Sequence, residues 1–308
     1  MGTTMRDTKP PATGDAARNA ADNWMRQNMS TTASEHRQPV RHAKLHARSA
    51  NSDLLDLPTP LLAFPAAKAQ PAPDDLLRYY EAMSGALGPM HWWPAKTPFE
   101  VIVGAILTQS TSWGNVERAI NNLRSARMLT PSAILGVRAS RLAMLVRPSG
   151  YFRQKAKKLK AFAQFLHVAY GGSLKRMFRT PTLELRKKLL SVHGIGPETA
   201  DSILLYAGNH PVFVVDAYTH RIFSRHAITG GKPDYEAVRA QFEGALPRRA
   251  QLLNEFHALI VNTGKNWCRK SAPRCEECPL RPLLPAKSPL ARYLTAPQPV
   301  PAPLEPLA

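Results

Sequence analysis

The stretch Leu189-Leu190-Ser191-Val192-His193-Gly194-Ile195-Gly196-Pro197-Glu198-Thr199-Ala200 constrains the fold more than any other part of the chain. Leu185, Leu189 and Val192 recur at helical spacing before it, and Ala200, Ile203, Leu204 and Ala207 recur after it. Two helices therefore have to meet across Gly194-Ile195-Gly196. A turn this short needs positive φ or very close backbone approach, which glycine permits without a Cβ penalty. Pro197 suits a first helical position, because its missing N–H would have had no partner there. The free N–H groups of the second helix and the positive end of its dipole then favour an anion such as a nucleic-acid phosphate. An ordinary corner of an all-α protein has the same pattern, so the turn alone does not decide the matter. Just downstream, the apolar run Val214-Val215 delivers a single carboxylate, Asp216.

Charge narrows the partner. The chain of 308 residues carries 41 Lys plus Arg against 22 Asp plus Glu, a net charge of +19. Most of that excess lies beyond residue 70, in the part dense in apolar periodicity. A balance so basic favours a polyanion. No apolar run approaches the length of a membrane span, and the N-terminus has no apolar signal core. No membrane association is therefore expected, and a cytoplasmic, nucleoid-associated location is.

Residues 1–70 are rich in Ala, Thr, Pro, Arg and Asn and are expected to be disordered. An organelle-type presequence is the alternative, although Asp7, Asp15, Asp22 and Glu35 oppose it. The Pro/Ala-rich tail 285–308 is likewise expected to be disordered. Between them, 71–284 reads as one helical domain. Helices are expected over Asp74–Ala86, Pro98–Leu107, Asn115–Ala126, Pro131–Leu135, Ala139–Val146, Phe152–Tyr170, Pro181–Ser191, Pro197–Ala207, Ala217–His226, Tyr235–Leu246 and Arg249–Gly264. No useful β-type alternation occurs, and the fold class is all-α. Lys155, Lys157, Lys158 and Lys160 read as the solvated face of one of these helices.

Several motifs in one order carry a resemblance: His91-Trp92-Trp93-Pro94 leading into Pro98-Phe99-Glu100, Leu107-Thr108-Gln109-Ser110-Thr111-Ser112-Trp113, Gly150-Tyr151-Phe152-Arg153-Gln154-Lys155-Ala156, the glycine turn, Val215-Asp216-Ala217-Tyr218-Thr219-His220-Arg221, and Cys268 with Cys275 and Cys278. From about Leu76 to Leu284 the chain resembles the endonuclease III superfamily of helix-hairpin-helix DNA base-excision glycosylases. The aromatic segment is most similar to its 3-methyladenine DNA glycosylase branch. The resemblance implies two helical lobes, the middle one over about 115–207, with double-stranded DNA carrying a damaged base in the cleft between them. A monomer is expected.

The resemblance makes Asp216 the catalytic aspartate, a carboxylate that stabilises an oxocarbenium-like sugar and orients water. A second reading of Asp216 is a cap for the helix beginning at Ala217, and the two are compatible. His91, Trp92, Trp93 and Trp113 are expected in a base pocket, where an alkylated, positively charged purine gains cation–π attraction. Trp93 reads equally well as packing. Gln109 is expected to fill the gap left by the flipped base. Gly194, Gly196, Glu198, Thr199 and Lys265 are the expected DNA contacts. Where bifunctional members carry a lysine nucleophile after the turn, this chain has Glu198, which cannot form an imine. A monofunctional hydrolase is expected. The alternatives are an endonuclease III-like glycosylase with abasic-site lyase activity, and a catalytically silent module that binds damaged DNA.

Cys268, Cys275 and Cys278 match the first three ligands of the family's iron–sulfur loop, and the fourth place is Leu284. A 4Fe-4S cluster normally takes four thiolates, and the chain has three cysteines. Either another group or a solvent species completes a 4Fe-4S site, or the cluster is absent and the loop persists as packing; the second is the expectation.

Overall fold

The computed structural model describes residues 73–93, 95–230, 234–285 and 290; the expected disordered extension and tail fall almost entirely outside them. Among the described residues every regular element is a helix or helical turn, so the fold is all-α. No helix among them is long and apolar enough to cross a membrane. The chain divides into two compact units, one spanning Lys96–Ala200 and the other including Asp201 onward together with the segment ending at Ala95.

Helix α1 (Pro73–Leu87) belongs to the second unit; the first contains α2 (Pro98–Leu107), α3 (Trp113–Ser125), α4 (Pro131–Gly136), α5 (Ala139–Leu145), α6 (Phe152–Tyr170), α7 (Leu174–Met177) and α8 (Thr182–Leu190). Helix α2 starts where Thr97 Oγ1 accepts from Glu100 N at 3.2 Å and Pro98 takes the first turn. Its residues are apolar on nearly all sides and all but the first are buried. The one buried acid in it, Glu100, is paired with Arg124 at 2.7 Å. Helix α6 is the centre of the unit, packed against α2, α4, α5 and α7. Its buried stripe is Lys155, Ala156, Leu159, Phe162, Ala163, Phe165 and Leu166. Complete burial of each such Leu or Phe stabilises by roughly 1.5–3 kcal/mol.

Lys155 corrects the expected solvated face. It is 1% exposed, and its Nζ donates to the carbonyls of Leu107 and Ser149. Lys160 is also engaged, donating to Leu135 O at 2.8 Å, while Lys157 remains exposed. Burial, then the nearby charge of Lys158, lowers the Lys155 ammonium to about 8.

The second unit is built from α1, the end of α9 (Pro197–Ser202, continuing as a π-helical turn over Ile203–Ala207), α10 (Ala217–Arg225), α11 (Tyr235–Ala245) and α12 (Ala250–Asn266). Helix α12 packs on α10, on α1 and on the π-helical turn. The core is a cluster of phenylalanines, with Phe213 stacked on Phe242 at 4.4 Å and Phe223 edge-on to Phe242 at 4.8 Å. Gly208 N reaches back to Ile203 O in the wide turn, a winding the sequence pattern did not distinguish from α-helix. Most expected boundaries agree within two residues. The short α7 was not expected, and α3 starts at Trp113 rather than Asn115.

Candidate active site

Asp216 sits where extended chain becomes helix. The residue has β-region dihedrals, and its carboxylate closes a capping box with Thr219. Oδ1 accepts from Thr219 N at 2.8 Å and from Thr219 Oγ1 at 3.0 Å. Thr219 is completely buried, so the acceptor oxygen is fixed. The other oxygen, Oδ2, lies 3.7 Å from His257 Nε2 on α12. One oxygen of the carboxylate thus serves the cap and the other faces His257, and the side chain is 13% exposed.

Sequence reasoning did not single out His257 or its neighbour Tyr206. His257 is 5% exposed, and its Nδ1 lies 2.5 Å from Tyr206 OH. Burial holds its imidazole below the ordinary histidine range, against the opposing pull of Asp216. Tyr206, in the π-helical turn, contacts the Trp93 ring at a centroid distance of 5.1 Å, and Trp93 contacts Trp92 at 5.5 Å. Trp92, Trp93, Tyr206, His257 and Asp216 therefore form a continuous chain of contacts in one unit. His91, at the head of the aromatic segment, is exposed. Lys265, near the end of α12, is exposed as well.

Close approach of α12 to α10 fixes this geometry. A Cβ on Gly264 would lie 2.4 Å from Tyr218 Cδ1 and 2.9 Å from Tyr218 Cβ, two residues after Asp216. Arg221, over the Tyr218 ring at 4.8 Å, donates to Gly264 O at 3.0 Å. Gly264→Ala must push the two helices apart. We expect a loss of about 1–3 kcal/mol in urea unfolding; an unchanged midpoint would show that the contact is slack.

The other expected site residues lie in the first unit. Gly194 has φ of +81°, the left-handed value the turn demands. The side chain of Gln109 ties the end of α2 to this turn, donating to Gly194 O at 3.1 Å and to Thr199 Oγ1 at 2.9 Å. Lys158 donates to Gln109 Oε1, and its aliphatic stem covers the face of Gly194, where a Cβ would come within 2.3 Å of Cγ. Gly196 and Glu198 are exposed and Thr199 is buried. Trp113 is the first residue of α3.

Cys268 and Cys275 are buried and Cys278 is partly so. Arg221 donates to Cys268 O at 2.6 Å, and Arg225 donates to Arg269 O at 2.7 Å and Lys270 O at 2.9 Å. The loop is thereby fastened to α10 through its backbone. Burial first, then the neighbouring Cys268 thiol, raises Cys275 to about 11; burial raises Cys278 to about 12. Among the described residues no group of three or more His, Cys, Asp or Glu side chains is disposed to hold a metal ion. With Leu284 in the fourth place, these residues do not fit a four-thiolate cluster.

Residues 103–248 match the family described as HhH-GPD superfamily base excision DNA repair protein. A Methanocaldococcus jannaschii protein named provisionally as a DNA repair glycosylase is 47% identical over 208 residues, covering 67% of this chain and 94% of that one. Endonuclease III of Thermotoga maritima is 29% identical over 184 residues, covering 60% of this chain and 81% of that one. Among solved structures, the 3-methyladenine DNA glycosylase of H. pylori bound to 1,N6-ethenoadenine superposes with a TM-score of 0.55 at 30% identity, covering 62% of this chain and 97% of that one. The chain belongs to the HhH-GPD, or endonuclease III, superfamily of base-excision DNA glycosylases.

Proposed function

We propose that this glycosylase hydrolyses the N-glycosidic bond of an alkylated purine in double-stranded DNA, without an amine nucleophile. The observation that carries the reading is Glu198, exposed at the place where a lysine would have to stand. Water is then the nucleophile. Asp216 stabilises positive charge developing on the deoxyribose and orients or deprotonates that water. Alkylation makes the base a better leaving group, which suits such an enzyme. Trp92 and Trp93, together with His91, supply ring faces for a cationic base. The likeness to a 3-methyladenine DNA glycosylase supports the same substrate class.

The turn Gly194–Gly196 with Glu198 and Thr199 offers backbone N–H groups to a phosphate, and Lys265 adds a second backbone contact. Gln109 fills the space left by the extruded base once its amide releases Gly194 O and Thr199 Oγ1. The protein acts as a monomer, and the cysteine loop serves as packing with no four-iron cluster. Purified protein without absorbance near the visible iron–sulfur band and without bound iron is the expected result for that last point.

The test is base release from alkylated duplex DNA by the purified full chain, run with a borohydride trap. Release of 3-methyladenine with no trapped covalent adduct is expected. A trapped adduct would replace this reading with a glycosylase–lyase, and release of oxidised pyrimidines alone would overturn the substrate class.

A further inference from the structure

Three groups on three separate stretches of the second unit converge: Tyr206 in the π-helical turn, His257 on α12 and Asp216 at the start of α10. Tyr206 OH lies 2.5 Å from His257 Nδ1, and His257 Nε2 lies 3.7 Å from Asp216 Oδ2. Nε2 is buried and makes no hydrogen bond to another group. An imidazole this enclosed, aimed at the carboxylate assigned to the chemistry, calls for a functional account.

The distances select one tautomer. If Nδ1 carried the proton and donated to the phenol oxygen, the Nε2 lone pair would face a carboxylate oxygen. Two acceptors would then oppose each other, and Nε2 is closed to solvent. If the phenol donates to Nδ1, Nε2 carries the proton and points it at Oδ2. The doubly protonated ring would lose the phenol donor and is opposed by burial.

We propose that Tyr206 and His257 are positioning residues for Asp216, with the Tyr206 hydroxyl holding His257 as the neutral Nε2–H tautomer that orients Oδ2 for the sugar or the attacking water. The neutral ring donates without cancelling the charge that the developing oxocarbenium needs. Oδ1 is already committed to Thr219, so Oδ2 is the oxygen left for chemistry, and its direction is what His257 fixes. The wide turn at Ile203–Ala207 is what brings Tyr206 into reach, and Trp93 covers the phenol ring. Neither Tyr206 nor His257 needs to touch the substrate. The inference rests on the role of Asp216 in the proposed glycosylase reaction.

The test has two arms on the full chain. In the first, a long-range 1H–15N spectrum of the free protein near neutral pH reads the tautomer, with the His257→Gln spectrum assigning the signal. A protonated Nε2 and bare Nδ1 in the parent, mixed in Tyr206→Phe, is expected. A doubly protonated or Nδ1–H ring overturns the proposal. In the second, single-turnover base release is compared with affinity for the same duplex. His257→Leu and Tyr206→Phe are expected to lower the rate, His257→Leu by roughly a hundredfold, with binding unchanged. His257→Gln, whose side-chain amide can donate to Oδ2, is expected to recover part of it. Rates equal to the parent's in both Tyr206→Phe and His257→Leu overturn the proposal. Tyr206→Phe keeps the ring that packs on Trp93, so it answers the question even if His257→Leu does not fold. A parent inactive on alkylated DNA counts against the proposed substrate alone, because the spectrum needs no substrate.

Discussion

Asp216→Asn is expected to abolish base release, by about a thousandfold or more, while leaving duplex affinity and helix α10 intact. The asymmetry follows from how the carboxylate is used. Its Oδ1 accepts from the Thr219 amide and hydroxyl, and an asparagine oxygen accepts from both equally well. The cap therefore survives, and stability is expected to change by about 1 kcal/mol or less from that source. What the substitution removes is the charge on the second oxygen, 3.7 Å from His257. It also presents an amide N–H to an imidazole N–H, which should tip His257 away from its parent tautomer. Single-turnover release and a urea titration of the same preparation check the split. A variant as active as the parent, with binding equal in both, would leave only a module that recognises damaged DNA. Equal losses of activity and of folding would mean that Asp216 is a cap and nothing more.

The hairpin and Asp216 were legible because their constraints are local. Gly194 needs its positive φ whatever surrounds it, and an extended apolar run ending in Asp before a helical stripe announces a cap. Helix existence and class followed from the 3.6-residue period for the same reason. His257 was not legible. It lies in an apolar-rich helix, 41 positions beyond Asp216 and 51 beyond Tyr206, and reads as one polar residue among core positions. Its role exists only through contacts that packing makes. Tyr206 was hidden further by the π-helical winding, since a period of 3.6 carried through Ile203–Ala207 aims its side chain elsewhere. Lys155 was misread although a signal existed. Lys155, Leu159, Phe162 and Leu166 fall at spacings of four, three and four, so the lysine stands in the buried stripe, whereas Lys157 falls outside it. The charge of the run concealed the register of its first member.

Lys155→Met should give a stability defect that grows with pH, which no surface lysine would produce. In the folded chain the ammonium is lowered to about 8 from its ordinary 10.5. Between those values the unfolded chain holds a proton that the folded chain has released, so the parent gains stability as pH rises through that window. The full displacement is worth about 3 kcal/mol. Methionine fills the same channel but donates to neither the Leu107 nor the Ser149 carbonyl, each of which costs about 1–3 kcal/mol when left without a partner in the interior. At neutral pH that cost is offset by relief from burying a charge, so the defect is small. Near pH 10 the parent's neutral amine still donates to both carbonyls and the offset has vanished; the gap between parent and variant should widen by about 2–3 kcal/mol. Urea unfolding of both proteins at the two pH values measures it, and an equal gap at both would show that Lys155 keeps its ordinary proton affinity. The consequence reaches the glycine turn proposed to contact DNA, because the Leu107 carbonyl ends α2 just before Gln109, and Lys158 on the next position of the same helical face holds Gln109 against Gly194 and Thr199. A variant that loosens the first of these ties should weaken duplex binding before it unfolds the chain, and salt-titrated affinity at neutral pH, where the stability defect is small, isolates that effect.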